Sequence, residues 1–199
     1  MSVIKPAQGL AGAATVAIGL AAGVHVVSAV LLLMSADEAT SLTLDVLMLL
    51  MQVVAGVLFI AWMGRMRANS DVITSKHQHR YTTMWVYLGW FIPFGNLFIP
   101  FAVMQDIWRG SDRSQPMVGL QQRPKSGLVT AWWICYIASN GLALVAVRSA
   151  EGDYAALSAV AAAGTVAAAV LAARMIKQVT LMQLIEPFSG PVPAPAPGA

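Results

Sequence analysis

Residues able to do chemistry are few in this 199-residue chain, which has three histidines, one cysteine and nine carboxylates. His25 and Ser28 lie one helical turn apart, the spacing of a base and a hydroxyl nucleophile, but nothing around them supplies an oxyanion hole. His77 and His79, with Asp71 nearby, are donor types that suit a divalent metal. Lys76 and Arg80 flank them and disfavour a cation, so the imidazoles are expected to be solvated in a basic loop. Cys135, alone in an apolar run, excludes an internal disulfide or a multi-cysteine zinc site. No His-Glu-x-x-His, paired aspartate or nucleophile elbow occurs. The expectation is therefore no catalytic residue, no metal, no cofactor and no enzymatic activity.

Two polar residues stand out inside otherwise apolar runs. His25 and Gln52 lie at similar distances on either side of one short acidic turn, so an antiparallel helix pair sets them level, and a hydrogen bond between them is the simplest expectation. Asp45 and Arg148 close the same ends of two runs and can pair if those helices are neighbours.

The elements carrying these residues are membrane elements. At 58% hydrophobic and 11% charged residues, with a mean hydropathy of +0.69, the chain is too apolar for a soluble domain. A net charge of +3 and a pI near 9.3 do not point to nucleic acid, because the basic residues flank apolar runs. Spans are expected at residues 10–34, 44–63, 128–147 and 155–173, each long enough for a hydrocarbon core of ~30 Å. The first is too long for a signal peptide's apolar core. The result is an all-α, four-span bundle over residues 1–187, with a disordered Pro/Ala-rich tail at 188–199. Gly19 and Gly23 form a Gly-x-x-x-Gly suited to close packing within the bundle.

A fifth apolar stretch, within the hairpin region 84–109, is broken by Pro93, Gly95, Asn96 and Pro100. Basic residues decide whether it crosses, since they are retained in the cytoplasm. If it enters and leaves on one side, eleven of the twelve basic residues share that side (Lys5, Arg65, Arg67, Lys76, Arg80, Arg109, Arg113, Arg123, Lys125, Arg174 and Lys177) and only Arg148 is opposite. If it crosses, the count is six against six. Four spans with cytoplasmic termini follow, and the broken segment becomes a re-entrant or interfacial hairpin. All six tryptophans then fall at or near the inner interface.

Arg65-Met66-Arg67-Ala68-Asn69, Trp90-Phe91-Ile92-Pro93 with Asn96-Leu97 and Pro100, and Ile107-Trp108-Arg109-Gly110-Ser111 form a pattern. It resembles an actinobacterial membrane family catalogued as a domain of unknown function, family 4328. The resemblance covers residues 59–111 and implies a multi-helix bacterial membrane protein, without an activity. Arg65, Arg67, Asn69, Trp90, Pro93, Asn96, Pro100, Trp108 and Arg109 are accordingly the candidate lipid- or partner-binding residues. The arginines, with Arg80 and Arg113, form a collar suited to anionic headgroups. The expected partners are the lipid bilayer and, at this collar, anionic lipid headgroups or another membrane protein, with no nucleic acid. The leading expectation is a non-enzymatic scaffold presenting a Trp/Arg-rich cytoplasmic hairpin. Its alternative is a small-solute transporter or channel component that uses the broken segment.

Overall fold

Alanine, not leucine, fills the inside of the first helix. A computed structural model describes residues 4–34, 38–115, 117–149 and 151–184. In α1 (Gln8–Leu33) every buried residue is alanine, while Val16, Leu20, Val26, Val30 and Leu33 face outward. Lipid tails are as apolar as leucine, so helix association in a bilayer relies on close packing, which small side chains permit. Gly19 and Gly23 take no part, for a Cβ at either would meet nothing within 4 Å. The close approach expected from their motif is made by the alanines instead. Gly164, by contrast, sits where a Cβ would come 3.1 Å from Ser139 Cβ, at the crossing of two later helices.

Four helices are long and apolar enough to cross a membrane: α1, α2 (Glu38–Ser70), α5 (Gly127–Ala146) and α6 (Glu151–Leu184). Between α2 and α5 come α3 (Trp85–Leu88) and α4 (Ile99–Ser111), the arms of the broken hairpin. No strand occurs among the described residues. The spans pack in the order α2, α1, α6, α5, and the outer two, α2 and α5, scarcely touch. The bundle is thus an open ring. At one end the hairpin closes it, with Trp90 between Phe59 of α2 (6.0 Å between ring centroids) and Trp133 and Tyr136 of α5 (6.0 and 6.3 Å).

Two helices run past the expected ends of their spans. α2 continues to Ser70 and through a π-turn at Asp71–Ser75, where a loop was expected from residue 64, and α6 continues to Leu184, past the span end expected at 173. Hydropathy marks where lipid ends, whereas these extensions are held by protein: Met63, Met66, Met175, Ile176 and Val179 are buried in one core with Val103, Met104 and Ile107 of α4. Three of the tryptophans are more enclosed than a place near an interface requires. Trp62, Trp132 and Trp133 are buried in that core and do not form an interfacial belt. Pro100 lies in the first turn of α4, where a missing N–H costs nothing. At the hairpin tip Gly95 N–H donates to Pro93 O (2.7 Å) around Phe94, whose φ of 61° makes this a tight γ-turn. The tail at 188–199 lies outside the described residues.

Candidate functional site

The extended ends of α2 and α6 meet α4 across a core that is polar yet buried. Asp106, 1% exposed, is its hub. Its carboxylate accepts from Arg80 N (3.0 Å), Arg80 Nη2 (3.0 Å) and Gln121 Nε2 (3.2 Å), and Arg109 Nη1 lies 3.8 Å away. Arg67, buried, donates to Asp71 one turn on (3.2 Å). His79 Nε2 faces Ser70 Oγ at 3.3 Å and Asp71 Oδ1 at 3.5 Å. Burial, and then the Arg67 guanidinium, push the His79 imidazole down to about 4. The neutral ring is favoured, the Asp71 carboxylate beside Nε2 favours the proton there, and Nδ1 is buried without a partner. Gly110 gives this cluster its room, since a Cβ there would strike Ser70 Oγ and lie 3.2 Å from His79 Cε1.

Three carboxamides fasten main chain to this core. Asn69 accepts from Lys5 N (3.0 Å) and donates to Lys5 O (2.9 Å), clamping the segment before α1. Gln105 does the same for Ser126, accepting from its N–H (2.9 Å) and donating to its carbonyl (3.0 Å), which fixes the start of α5. Gln183 donates to Met66 O (2.9 Å) and Ser111 Oγ (2.8 Å), joining α6, α2 and α4. Arg123 caps α4, donating to the carbonyls of Arg109 and Asp112 (both 2.8 Å) and of Val118 (3.0 Å).

Beside this core lies a basic cleft of about 450 Å³ between the loop before α5 and the last turns of α6. Arg109, Arg123, Lys125 and Arg174 line it, with Asp112 the one carboxylate and with Trp108 and Leu128 as apolar wall. Arg109 Nε is buried without a partner. Lys125 and Arg174 are exposed, with no pairing among the described residues.

The expected candidates fare unequally against this geometry. Trp108 and Arg109 reach the cleft. Arg67 and Asn69 are committed to internal partners, and Arg65 is half-buried and unpaired among the described residues. Trp90 wedges α2 from α5 and Pro100 is buried, while Pro93 and Asn96 are exposed at the tip. The arginine collar is divided: Arg67 and Arg109 are interior, 1 and 5% exposed, Arg65 and Arg113 are half-buried, and Arg80 is exposed. His79 is likewise buried where a solvated loop was expected, and His77 is exposed. Arg123, Lys125 and Arg174 were readable as residues flanking spans, but only the fold sets them against each other.

His25 and Gln52 line one cavity of about 680 Å³ between α2 and α5. No hydrogen bond joins them. Asp45 and Arg148 do not pair either, because α2 and α5 are not neighbours, and Arg148 donates to Leu144 O (3.1 Å).

Four apolar spans around small-residue contacts, closed at one end by a polar core, define a multi-pass membrane protein. Over residues 29–181 the chain matches the family described as a domain of unknown function (DUF4328), and it belongs to that family. No curated protein and no solved structure matches it.

Proposed function

We propose that this is a non-enzymatic scaffold of a bacterial cell membrane, with both termini in the cytoplasm, that binds anionic phospholipid headgroups in the basic cleft. The observation that carries this reading is the cleft's composition and depth. Four cations against one carboxylate face it; Leu128 in the first turn of α5 and Arg174 just past the apolar run of α6 support a place for it at headgroup depth. Buried Arg109 and Arg123 shape the floor, and exposed Lys125 and Arg174 supply charge free to meet a phosphate. The orientation rests on the eleven basic residues at this end. In that orientation the hairpin is shallowly re-entrant, with Phe91, Phe94 and Phe98, each more than 65% exposed, turned to the inner leaflet's acyl chains.

A Lys125→Gln/Arg174→Gln variant tests it. At about 1 kcal/mol per basic side chain, phosphatidylglycerol retention in native mass spectrometry should weaken by about 30-fold, with phosphatidylcholine unaffected. Equal retention by both proteins would defeat the proposal. Single cysteines at Thr40 and Ser114 in a Cys135→Ser background test the orientation, with labelling from outside intact cells expected at Thr40 alone. The transport alternative has less support, since of the broken segment's residues 90–100 only Trp90 lines the cavity between α2 and α5.

A further inference from the structure

The cavity between α2 and α5, at about 680 Å³, is roomier than the basic cleft, and its most strongly polar side chains are not scattered along it. Its mouth, at the end away from the hairpin, is marked by Asp45, Val147 and Tyr154. Its floor is the aromatic group of Phe59, Trp90, Trp132 and Tyr136, with Phe59 and Trp132 at 5.4 Å. Along α2, Gln52 is seven residues from both Asp45 and Phe59, about 10 Å from each end at the helical rise. Along α5, Asn140 is eight residues from Trp132 and seven from Val147, again midway. In α1, Ala21 shares a packing cluster with Ala55 of α2, which in an antiparallel pair puts His25, one turn further on, level with Met51 and Gln52. Three helices thus each bring one strongly polar side chain to the same depth. Ser28 and Ser158 line the space as well.

These groups lack the partners that an apolar surrounding demands. Among the described residues neither His25 nor Gln52 makes a side-chain hydrogen bond, and Asn140 spends one N–H on Tyr136 O (2.7 Å), which leaves its carbonyl free. In hydrocarbon an unmet amide or imidazole costs several kcal/mol, so something must meet them. The belt offers donors and acceptors together, from two carboxamides and an imidazole. No lysine or arginine lines the cavity to hold an anion, and its one carboxylate, Asp45, is about 10 Å away at the mouth. The volume is that of a small-molecule site.

We propose that this cavity binds an uncharged single-chain amphiphile, with a hydroxyl or carboxamide head on the belt of His25, Gln52 and Asn140 and a short apolar chain on the aromatic floor. The room between belt and floor, about 10 Å, accepts a chain of about eight carbons. The open side between α2 and α5 admits such a molecule sideways from the bilayer.

8-Bromo-1-octanol is the probe, because its bromine, carried to the floor, quenches Trp90 and Trp132. In phosphatidylcholine nanodiscs the full-length protein should show saturable quenching, while 1-bromooctane, which lacks the head, gives only the linear quenching of partition into lipid. Gln52→Leu should weaken the saturable phase by about 10-fold, one hydrogen bond's worth. Gly56→Leu tests the space itself: Gly56 lines the cavity and a Cβ there meets nothing within 4 Å, so a leucine has room to start into the slot. That variant should abolish saturation while leaving the tryptophan emission maximum unchanged. Linear quenching by both probes, or saturation that survives Gly56→Leu, overturns the site. Equal saturation by bromooctanol and bromooctane makes the slot a seat for lipid chains and overturns the role of the belt.

Discussion

Replacing Asp106 by asparagine should be the most damaging single change of charge in this protein. Every polar neighbour of the carboxylate is a donor: Arg80 N reaches Oδ2, while Arg80 Nη2 and Gln121 Nε2 reach Oδ1. Whichever way the amide is turned, its NH₂ faces an N–H. The two arginines then respond differently. Arg80's side chain is 40% exposed and can swing into water, so its loss of a partner is cheap. Arg109's side chain is 5% exposed and cannot. At 3.8 Å its attraction to the carboxylate is about 4 kcal/mol at an effective dielectric of ~20, in line with the ~3–5 kcal/mol lost when one member of a buried pair is removed. Asp106→Asn should therefore shift equilibrium unfolding in mixed dodecyl maltoside–SDS micelles by two to three orders of magnitude. Arg80→Gln should cost about 1 kcal/mol or less. The double variant Asp106→Asn/Arg109→Gln should recover much of the loss, because the stranded cation is gone. A loss below about 1 kcal/mol for Asp106→Asn, or simple additivity in the double variant, would refute the reasoning.

Three further outcomes follow from the same core. His79 is held near 4 by burial and Arg67, with Asp71 and Asp106 opposing, against 6.5 when unfolded. Its contribution is complete above pH 6.5 and is lost as pH falls through 6.5 towards 4, by at most about 3 kcal/mol; pH-dependent unfolding should show that slope in the native protein and lose it in His79→Gln. Gly110→Ala should lower the unfolding midpoint sharply and Ser70→Ala should restore most of it, since Ser70 Oγ is what the new Cβ strikes and Ser70 Cβ lies 3.4 Å off; no rescue would mean that the clash is not the cause. Phe94→Gly should relieve the γ-turn by about 1 kcal/mol or more, raising stability in detergent; a loss there would show that the ring outweighs the strain.

The spans were legible because hydropathy and basic-residue placement report directly on the bilayer. The interior of the hairpin end was not. Arg67, Arg109 and His79 read as surface groups because a single sequence does not show that Asp71, 4 residues from Arg67 and 8 from His79, and Asp106, 3 residues from Arg109, turn inward to meet them. The carboxamides hide for another reason. Asn69, Gln105 and Gln183 bind main-chain atoms or a serine or threonine hydroxyl at long range, and such partners leave no side-chain pattern to recognise. Gln52 and His25 stand out as intruders in apolar runs, whereas Asn140, between Ser139 and Gly141, does not. It joins them only because the ring of helices is open where α2 and α5 would otherwise meet.

That opening gives the molecule unequal stiffness along its length. Trp90 and the polar core clasp α2 to α5 at one end, and nothing among the described residues clasps them at the other. The body is mechanically a clothes-peg, rigid at the end that holds the hairpin and compliant at the opposite end. Lateral tension or a change of bilayer thickness does work chiefly on the free arms, and the slot widens or narrows while the clasp keeps its shape. Spin labels on Val46 and Val147, both exposed near the free ends, should give a broader distance distribution than labels on Arg65 and Lys125 at the clasp, and only the first should move with lipid chain length.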